Sequence, residues 1–346
     1  RLNFRPGGVD PEDPATFLGS ASNPSITDTT ATLFDGDADG VPGGTYNFWF
    51  NVQAATGAEA DRDTIYVDKA STATSPDGSL AAPFTTITAA FAKAEQRVVA
   101  YGDQIVRIVG NNFDNDDPSD PATLTDNLAY EIGRRAFDNT PLADGTQMEV
   151  PKGVTVMIDA GATFKLLGAN INVGSLSQGI DKSRGALQVL GTPTQSVYFT
   201  SFHDETLGKD SEPNSTTAAK GDWGGLVFRN DLDYDYVAAY DPGMTTDARE
   251  VLETQGIFLN YVNHADIRYG GGEVVVNSVR GIYDPIHMAE ARPTATYNTI
   301  RFSADAAMSG DPNSFAETRF QNWDPIRPFT QEYDRVGPLV RGNRLL

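Results

Sequence analysis

Residues 150–202 read VPKGVTVMIDAGATFKLLGANINVGSLSQGIDKSRGALQVLGTPTQSVYFTSF. Apolar residues recur here in short pieces: Val154, Val156 and Ile158; Ala162, Phe164 and Leu166; Ile171 and Val173; Leu187 and Val189; Val197 and Phe199. Within each piece they alternate with other residues, the period of a half-buried strand. Gly161, Gly168, Gly174, Gly185 and Gly191 punctuate the pieces and supply the backbone freedom of sharp corners. No stretch between them has the 3.6-residue period of a crossover helix, which parallel strands normally need. Strands this short, joined by corners this short, predict a chain that winds into a solenoid, each coil stacking its strands on the coil before. The stretch speaks to architecture and says little about chemistry.

Working outward, the 346 residues suffice for one large all-β domain or two ordinary ones. Hydrophobic residues make up 39% and charged residues 21%, a globular composition. The formal net charge of −21 argues against nucleic acid, which needs a basic surface, and against anionic lipid. It suits capture of divalent cations by carboxylate clusters. Apolar runs are too short to insert into a membrane. The chain has no Cys, which removes disulfides, thiolate metal sites and cysteine nucleophiles, and fits the cysteine avoidance of many secreted Gram-negative-type surface proteins. It starts at Arg1 and ends in the strand-like RGNRLL of 341–346. It therefore reads as a processed form or a segment of a longer polypeptide whose solenoid continues past Leu346.

Residues 1–60 form an N-terminal arm and a small β segment. Pro-, Gly- and Asp-rich residues 1–24 precede two strand-like runs, 25–34 and 45–52, which flank the acidic loop DGDADGVPGG of 35–44. Residues 61–346 carry the solenoid. A strand at 64–68 leads to a Ser-Pro-Asp-Gly turn and an amphipathic helix near 82–94, with Thr86 as N-cap and Ile87, Ala90, Phe91 and Ala94 on one face. Strands follow at 102–110 and near 130–132. After the central stretch, GDWGGLVF (221–228) returns to a strand, with Trp223 positioned to cover a coil edge. The runs 256–262, 265–269 and 273–276 read as the faces of the next coil, which 285–288 and 298–302 continue. Residues 303–318 read as a polar insertion, and 336–346 re-enters a strand. Uneven spacing follows when loops of differing length leave one face of a solenoid.

The run from Thr64 to Gly110, a strand, then DGSLAAPFTTITAAFAKA, then GDQIVRIVG, resembles the opening of right-handed parallel β-helix domains of the pectate-lyase-like superfamily. In that superfamily such a helix caps the first coil. The segments FDGDADGVPGGTYNFWF (34–50), TIYVDK (64–69), VPKGVTVMIDAGATFKL (150–166), GALQVLGTPTQSVYFTS (185–201) and GDWGGLVF (221–228) together resemble the very large secreted β-helix surface proteins of planctomycete bacteria. The resemblance covers most of the chain. It implies a secreted, cell-surface location and a β-helix with a short N-terminal capping helix, and it leaves mechanism open.

The strongest chemical signal is Asp35, Asp37 and Asp39 followed by Gly40. Three carboxylates at alternate positions before a turn glycine match the first half of a calcium loop, because Ca²⁺ takes several hard oxygens at once. A complete EF-hand is excluded, since Tyr46 occupies the place of its bidentate Glu. A shorter loop completed by backbone carbonyls stands against a plain solvated turn. Asp114, Asp116, Asp117 and Asp120 form a second acidic cluster, and Asp231, Asp233 and Asp235 alternate in DLDYD. On a strand the latter three share a face and repel one another without a cation.

Catalytic constellations are weak. Arg184, Arg229, Arg268 and Arg301 lie in or beside coils, with Asp181, Asp222 and Asp266 near in sequence, but they match no lyase or paired-Asp hydrolase signature. Arg268 reads as outward, paired with Asp266 or a neighbouring coil. His203, His264 and His287 lack metal-ligand spacing and read as loop or surface residues. No Ser has a Gly-x-Ser-x-Gly context. Gly270–Gly272 opens no helix and reads as a corner. Tyr46, Phe48 and Phe50 share one strand face, and Trp49 the other. The expected fold is therefore all-β, a right-handed parallel β-helix. The expected function is a structural or adhesive, non-enzymatic segment of an extracellular protein. It would be calcium-stabilised and able to meet its own copies in an oligomer, filament or surface lattice. The alternative is a carbohydrate-active β-helix that binds or cleaves a polysaccharide, and a third reading is an adhesin that recognises glycans through its loops.

Overall fold

The structure, a computed structural model, describes residues 2–3, 45–46, 64–110, 128–175, 182, 184–209, 216–229, 260–276, 278–289, 291–311, 314 and 338–346. The chain divides into two units, Arg1–Ala60 and Asp61–Leu346. In the first, β1 (Leu2–Asn3) pairs antiparallel with β2 (Thr45–Tyr46).

The second unit is mostly β, with parallel sheets and one helix. It opens with β3 (Thr64–Val67), α1 (Ile87–Tyr101), β4 (Gln104–Ile108), β5 (Tyr130–Gly133) and β6 (Met148–Glu149). The central stretch supplies β7 (Val154–Asp159), β8 (Thr163–Leu167), β9 (Ile171–Val173), β10 (Ala186–Leu190) and β11 (Val197–Ser201). Then come β12 (Leu226–Phe228), β13 (Tyr261–Asn263), β14 (Ala265–Arg268), β15 (Glu273–Val276), β16 (Val279–Ile282) and β17 (Ile286–Met288). The last are β18 (Thr294–Thr296), β19 (Thr299–Arg301), β20 (Met308–Gly310), β21 (Leu339–Arg341) and β22 (Arg344–Leu345). Strands β3, β4, β7, β10, β13, β18 and β21 form one sheet in that order. A second runs β5, β8, β11, β14, β19, β22, and a third β6, β9, β12, β17, β20. Every neighbouring pair within these three sheets is parallel. The chain thus visits sheets one, two and three in turn from β4 to β20, five passes among the described residues, before β21 and β22 begin another.

Register makes the core. In sheet one Val67, Ile108, Ile158, Val189, Val262 and Ala295 lie side by side, all buried. In sheet two Tyr130, Phe164, Phe199, Ile267 and Ile300 do the same. The ring centroids are 5.2 Å apart for Tyr130–Phe164 and 5.0 Å for Phe164–Phe199. Each Val, Ile or Phe among them contributes about 1.5–3 kcal/mol by leaving water. The alternation at 154–158, 187–189 and 197–199 therefore reads correctly as inward positions.

Helix α1 starts where Thr86 Oγ1 accepts from Ala89 N–H and buries Ile87, Ala90 and Ala94. It runs on to Tyr101, past the expected end, because Glu95–Ala100 are tolerated in a helix and the first breaker is Gly102. It packs on β3, β4 and β7. A fully buried carboxylate, Asp144, ties this end together. Its Oδ1 accepts from Ile87 N–H at 2.9 Å and its Oδ2 from Glu131 N–H at 2.8 Å, and Lys69 Nζ contacts Oδ2. The Tyr130 hydroxyl accepts from Lys69 N–H and lies within hydrogen-bond reach of Val67 O and Val109 O. Burial pushes its pKa far above the ordinary phenol range.

Corners repeat from pass to pass. Asn298 accepts from Ala265 N–H and donates to Val262 O and to Asn343 Oδ1. One pass later Asn343 donates to Ala295 O, the register partner of Val262. Beside this ladder His264 and Tyr297 take left-handed φ of 49° and 56° and stack with centroids 5.3 Å apart. Left-handed backbone costs a non-glycine residue about 1–2 kcal/mol, which stacking of about 0.5–1.5 kcal/mol helps offset. The next such corner has Gly342, φ 66°, where a Cβ would lie 2.5 Å from the Tyr297 ring.

Three expectations are corrected. Residues 273–276 are not a face of the stack. They form β15, paired antiparallel with β16 in a hairpin between β14 and β17, because the chain reverses between Val276 and Val279, where Ser278 takes a left-handed φ of 65°. The polar stretch 303–318 holds β20, which adds to β17 through Met308. Trp223 covers no coil edge. It is fully buried, and its indole N–H donates to Arg268 O at 2.7 Å. No helix among the described residues is long and apolar enough to cross a membrane.

Candidate functional site

Two outward strand faces collect the charged side chains. On sheet two, register brings Lys165, Thr200, Arg268 and Arg301 into one row and Thr163, Tyr198, Asp266 and Thr299 into the next. Asp266 holds both arginines. Arg268 donates from Nε to Oδ1 and from Nη2 to Oδ2, both at 3.0 Å, and Arg301 Nη2 donates to Oδ2 at 2.8 Å. Burial works against the Arg268 charge, but the hydrogen bonds and charge of Asp266 outweigh it and raise the Arg268 pKa. A carboxylate engaged by two guanidiniums is an anchor, and arginine is too strongly protonated to act as a base. Arg268 is thus outward and paired within its strand, and Asp266 also joins it to the next pass.

Residues 202–209 lie over the upstream part of this face. Lys165 is 1% exposed and donates to Lys209 O at 3.1 Å. Thr200 Oγ1 donates to Asp204 Oδ2 at 2.6 Å, and Asp204 Oδ1 accepts from the N–H and hydroxyl of Thr206. Phe202 and Leu207 are buried. At the strand end Ser201, His203 and Asp222 converge. Ser201 Oγ donates to Asp222 Oδ2, which also accepts from Ala219 N–H, and His203 Nδ1 lies 3.7 Å from it. This is not a triad in its working order: the hydroxyl meets the carboxylate and not the imidazole, and Ser201 is fully buried.

The face of sheet three is built differently. Glu149, Asn172, Val227, His287 and Ser309 are register partners across β6, β9, β12, β17 and β20. Asn172 Nδ2 donates to Glu149 Oε1 at 2.6 Å, and Arg229 Nη1 to Oε2 at 3.3 Å. Arg229 is 6% exposed and Asn172 fully buried, yet Arg229 Nη2 and Asn172 Oδ1 have no hydrogen-bond partner among the described residues. His287 Nδ1 and Ser309 Oγ are 2.8 Å apart, and Tyr283 meets the imidazole edge-on. The face combines a carboxylate, a guanidinium, an imidazole and a ring edge. The sequence pattern reads His287 as a loop or surface residue, because its neighbours Val227 and Ser309 come from strands far away in the chain.

Burial lowers the pKa of His287, an effect that Asp284 and Asp311 oppose and Arg229 reinforces, and burial likewise lowers that of His264. Both imidazoles therefore stay neutral in the folded chain below the ordinary value of about 6.5. The unfolded chain binds protons first, so stability falls as pH drops from about 6.5 toward the folded-state values. Thermal unfolding followed between about pH 7 and pH 5 should show this fall. The double variant His264→Gln/His287→Gln should flatten it, and an unchanged slope would contradict the assignment.

The remaining sequence candidates fall as follows. Arg184 pairs with Asp103. The Gly270–Gly272 corner directs its N–H groups inward, Gly271 to Gly224 O and Gly272 to Trp223 O, which leaves neither for a phosphate. Asp35, Asp37 and Asp39, the cluster Asp114, Asp116, Asp117 and Asp120, the alternating Asp231, Asp233 and Asp235, Asp181, and the aromatics Phe48–Phe50 lie outside the described residues. Among the described residues no group of three or more His, Asp or Glu is disposed to hold a metal ion. Compared with protein families, curated proteins and solved structures, the chain matches none.

Proposed function

We propose that Asp61–Leu346 is a right-handed parallel β-helix capped by α1, and that it serves as a structural or adhesive segment of a secreted bacterial cell-surface or extracellular-matrix protein. The observation that carries this reading is the repeated corner. Asn298 spends its amide on the passes before and after it, and Asn343 on the pass before it, and Asp266 bridges β14 to β19 through Arg301. Polar groups used in this way stiffen a stack. The resemblance to planctomycete β-helix surface proteins supports the location. The acidic loops at Asp35–Asp39, Asp114–Asp117 and Asp231–Asp235 would bind Ca²⁺ and brace the segment or bridge it to neighbours. A crystal structure tests the architecture: one right-handed coil rising about 4.8 Å per pass is expected, and a left-handed winding or sheets that do not close into coils would overturn it. Calorimetry with Ca²⁺ tests the loops: heat that Asp37→Ala diminishes supports them, and no heat ends the calcium proposal.

A second reading, polysaccharide binding or cleavage, draws on the face of sheet three, where Arg229 and Asn172 have hydrogen-bonding atoms without a partner among the described residues, on the face that also carries Glu149 and His287. Incubation with acidic polysaccharides distinguishes the two. New chain ends lost in His287→Ala would favour catalysis, and intact polymer the structural role.

A further inference from the structure

Among the described residues, no strand pairs with the outer edge of β16 in the hairpin of β15 and β16. Tyr283 N–H donates to Gly272 O. In an antiparallel ladder the bonding direction alternates along each strand, so Val279 and Gly281 face β15 while the N–H and C=O of Arg280 and Ile282 face away from it. Val279 and Ile282 are 58% and 64% exposed, and Val275 on β15 is 51% exposed. In contrast Val274 and Val276 are buried, which pins the hairpin to its unit. The edge has neither Pro nor Lys nor a bulge, the usual guards of a free strand.

We propose that β16 pairs antiparallel with β16 of a second copy of this chain, about a two-fold axis through Gly281. An edge paired with itself supplies matching groups by symmetry. Arg280 meets Ile282 of the other copy, and the two exchange backbone hydrogen bonds on each side of the axis. Gly281 faces its own image and brings no side chain to the crowded centre. Val279 comes to lie opposite Tyr283 of the other copy. Charge also fits. Glu273 and Arg280 form an ion pair on the exposed face, so the hairpin is neutral on a chain of net charge −21. Two copies elsewhere repel, but meet here without like charge opposed. The lone ribbon, of marginal stability by itself, becomes four strands. The contact is smaller than the standard interface of about 1,600 Å², so association is weak in solution and gains strength where many copies share a surface.

The proposal gives the structural reading above a specific contact and rests on it for its purpose. Sedimentation velocity over a concentration series tests it. The wild-type chain should shift toward dimer as concentration rises. Arg280→Pro removes an outward N–H without costing a bond within the hairpin, and should weaken association by about tenfold or more. Arg280→Ala, which loses the charge but keeps the N–H, should still associate. If Arg280→Pro misfolds, hydrogen exchange on the wild type decides instead: the amides of Arg280 and Ile282 should slow with concentration. A chain monomeric throughout, or Arg280→Pro associating like wild type, overturns the pairing and leaves the proposed β-helix untouched. Polysaccharide cleavage would overturn the structural reading and leave the pairing.

Discussion

Asp144→Ala should lower the unfolding free energy of the β-rich unit by about 3–5 kcal/mol, one of the two largest effects expected from single substitutions. The carboxylate is fully buried and has three donors: the Ile87 and Glu131 N–H groups and Lys69 Nζ. Alanine strands all three. An unpaired buried donor costs about 1–3 kcal/mol and a buried charge more, while Lys69, 15% exposed at its side chain, recovers part of its loss by turning to water. Asp144→Asn separates the contributions. It can retain an acceptor for Ile87 N–H but removes the charge opposite Lys69, so an intermediate loss is expected. Urea titration gives the free energy. Hydrogen exchange should show faster opening at the start of α1, since the Ile87 amide loses its acceptor. A loss under about 1 kcal/mol, the range of a surface pair, would mean that Asp144 does not tie α1 to β5.

Trp223→Ala should cost about 3–5 kcal/mol as well, through a cavity and not a charge. Trp223 has no exposed surface, and Gly270 sits against its ring. The neighbouring backbone cannot close the gap freely: a Cβ built at Gly225 would lie 1.9 Å from Asp284 O, so strands here are already at closest approach. Trp223→Phe keeps most of the apolar area but leaves Arg268 O without its donor, for an expected loss of about 1–3 kcal/mol. Equal losses for the two variants would show that the hydrogen bond, and not packing, holds the corner.

Much of the β content was legible from residues alone. Inward positions at 154–158, 187–189 and 197–199 follow from alternation, because a strand must put its apolar side on the core. Thr86 as N-cap follows from local chemistry, since its hydroxyl serves a donor three residues on. Misses occurred where local and long-range determinants part. Val274 and Val276 alternate like any core strand, yet belong to a hairpin, because alternation reports burial on one face and not which strand is the partner. Met308–Gly310 lacks an apolar run and becomes a strand only because β17 offers it an edge. Trp223 reads as an edge cover because its glycines read as a surface turn.

The candidate sites divide the same way. That Arg268 faces outward and pairs with Asp266 could be read from their i, i+2 spacing on a strand. That Arg301 joins them, that Arg229 meets Glu149 across 80 residues, and that Ser201, His203 and Asp222 converge could not. The sequence by itself determined which residues turn inward, where corners fall and where the helix begins, because those depend on interactions within a few residues. Only the tertiary structure decided which polar side chains meet, because the spacing of neighbours in a parallel stack is set by the length of each excursion between strands, and no local pattern encodes it.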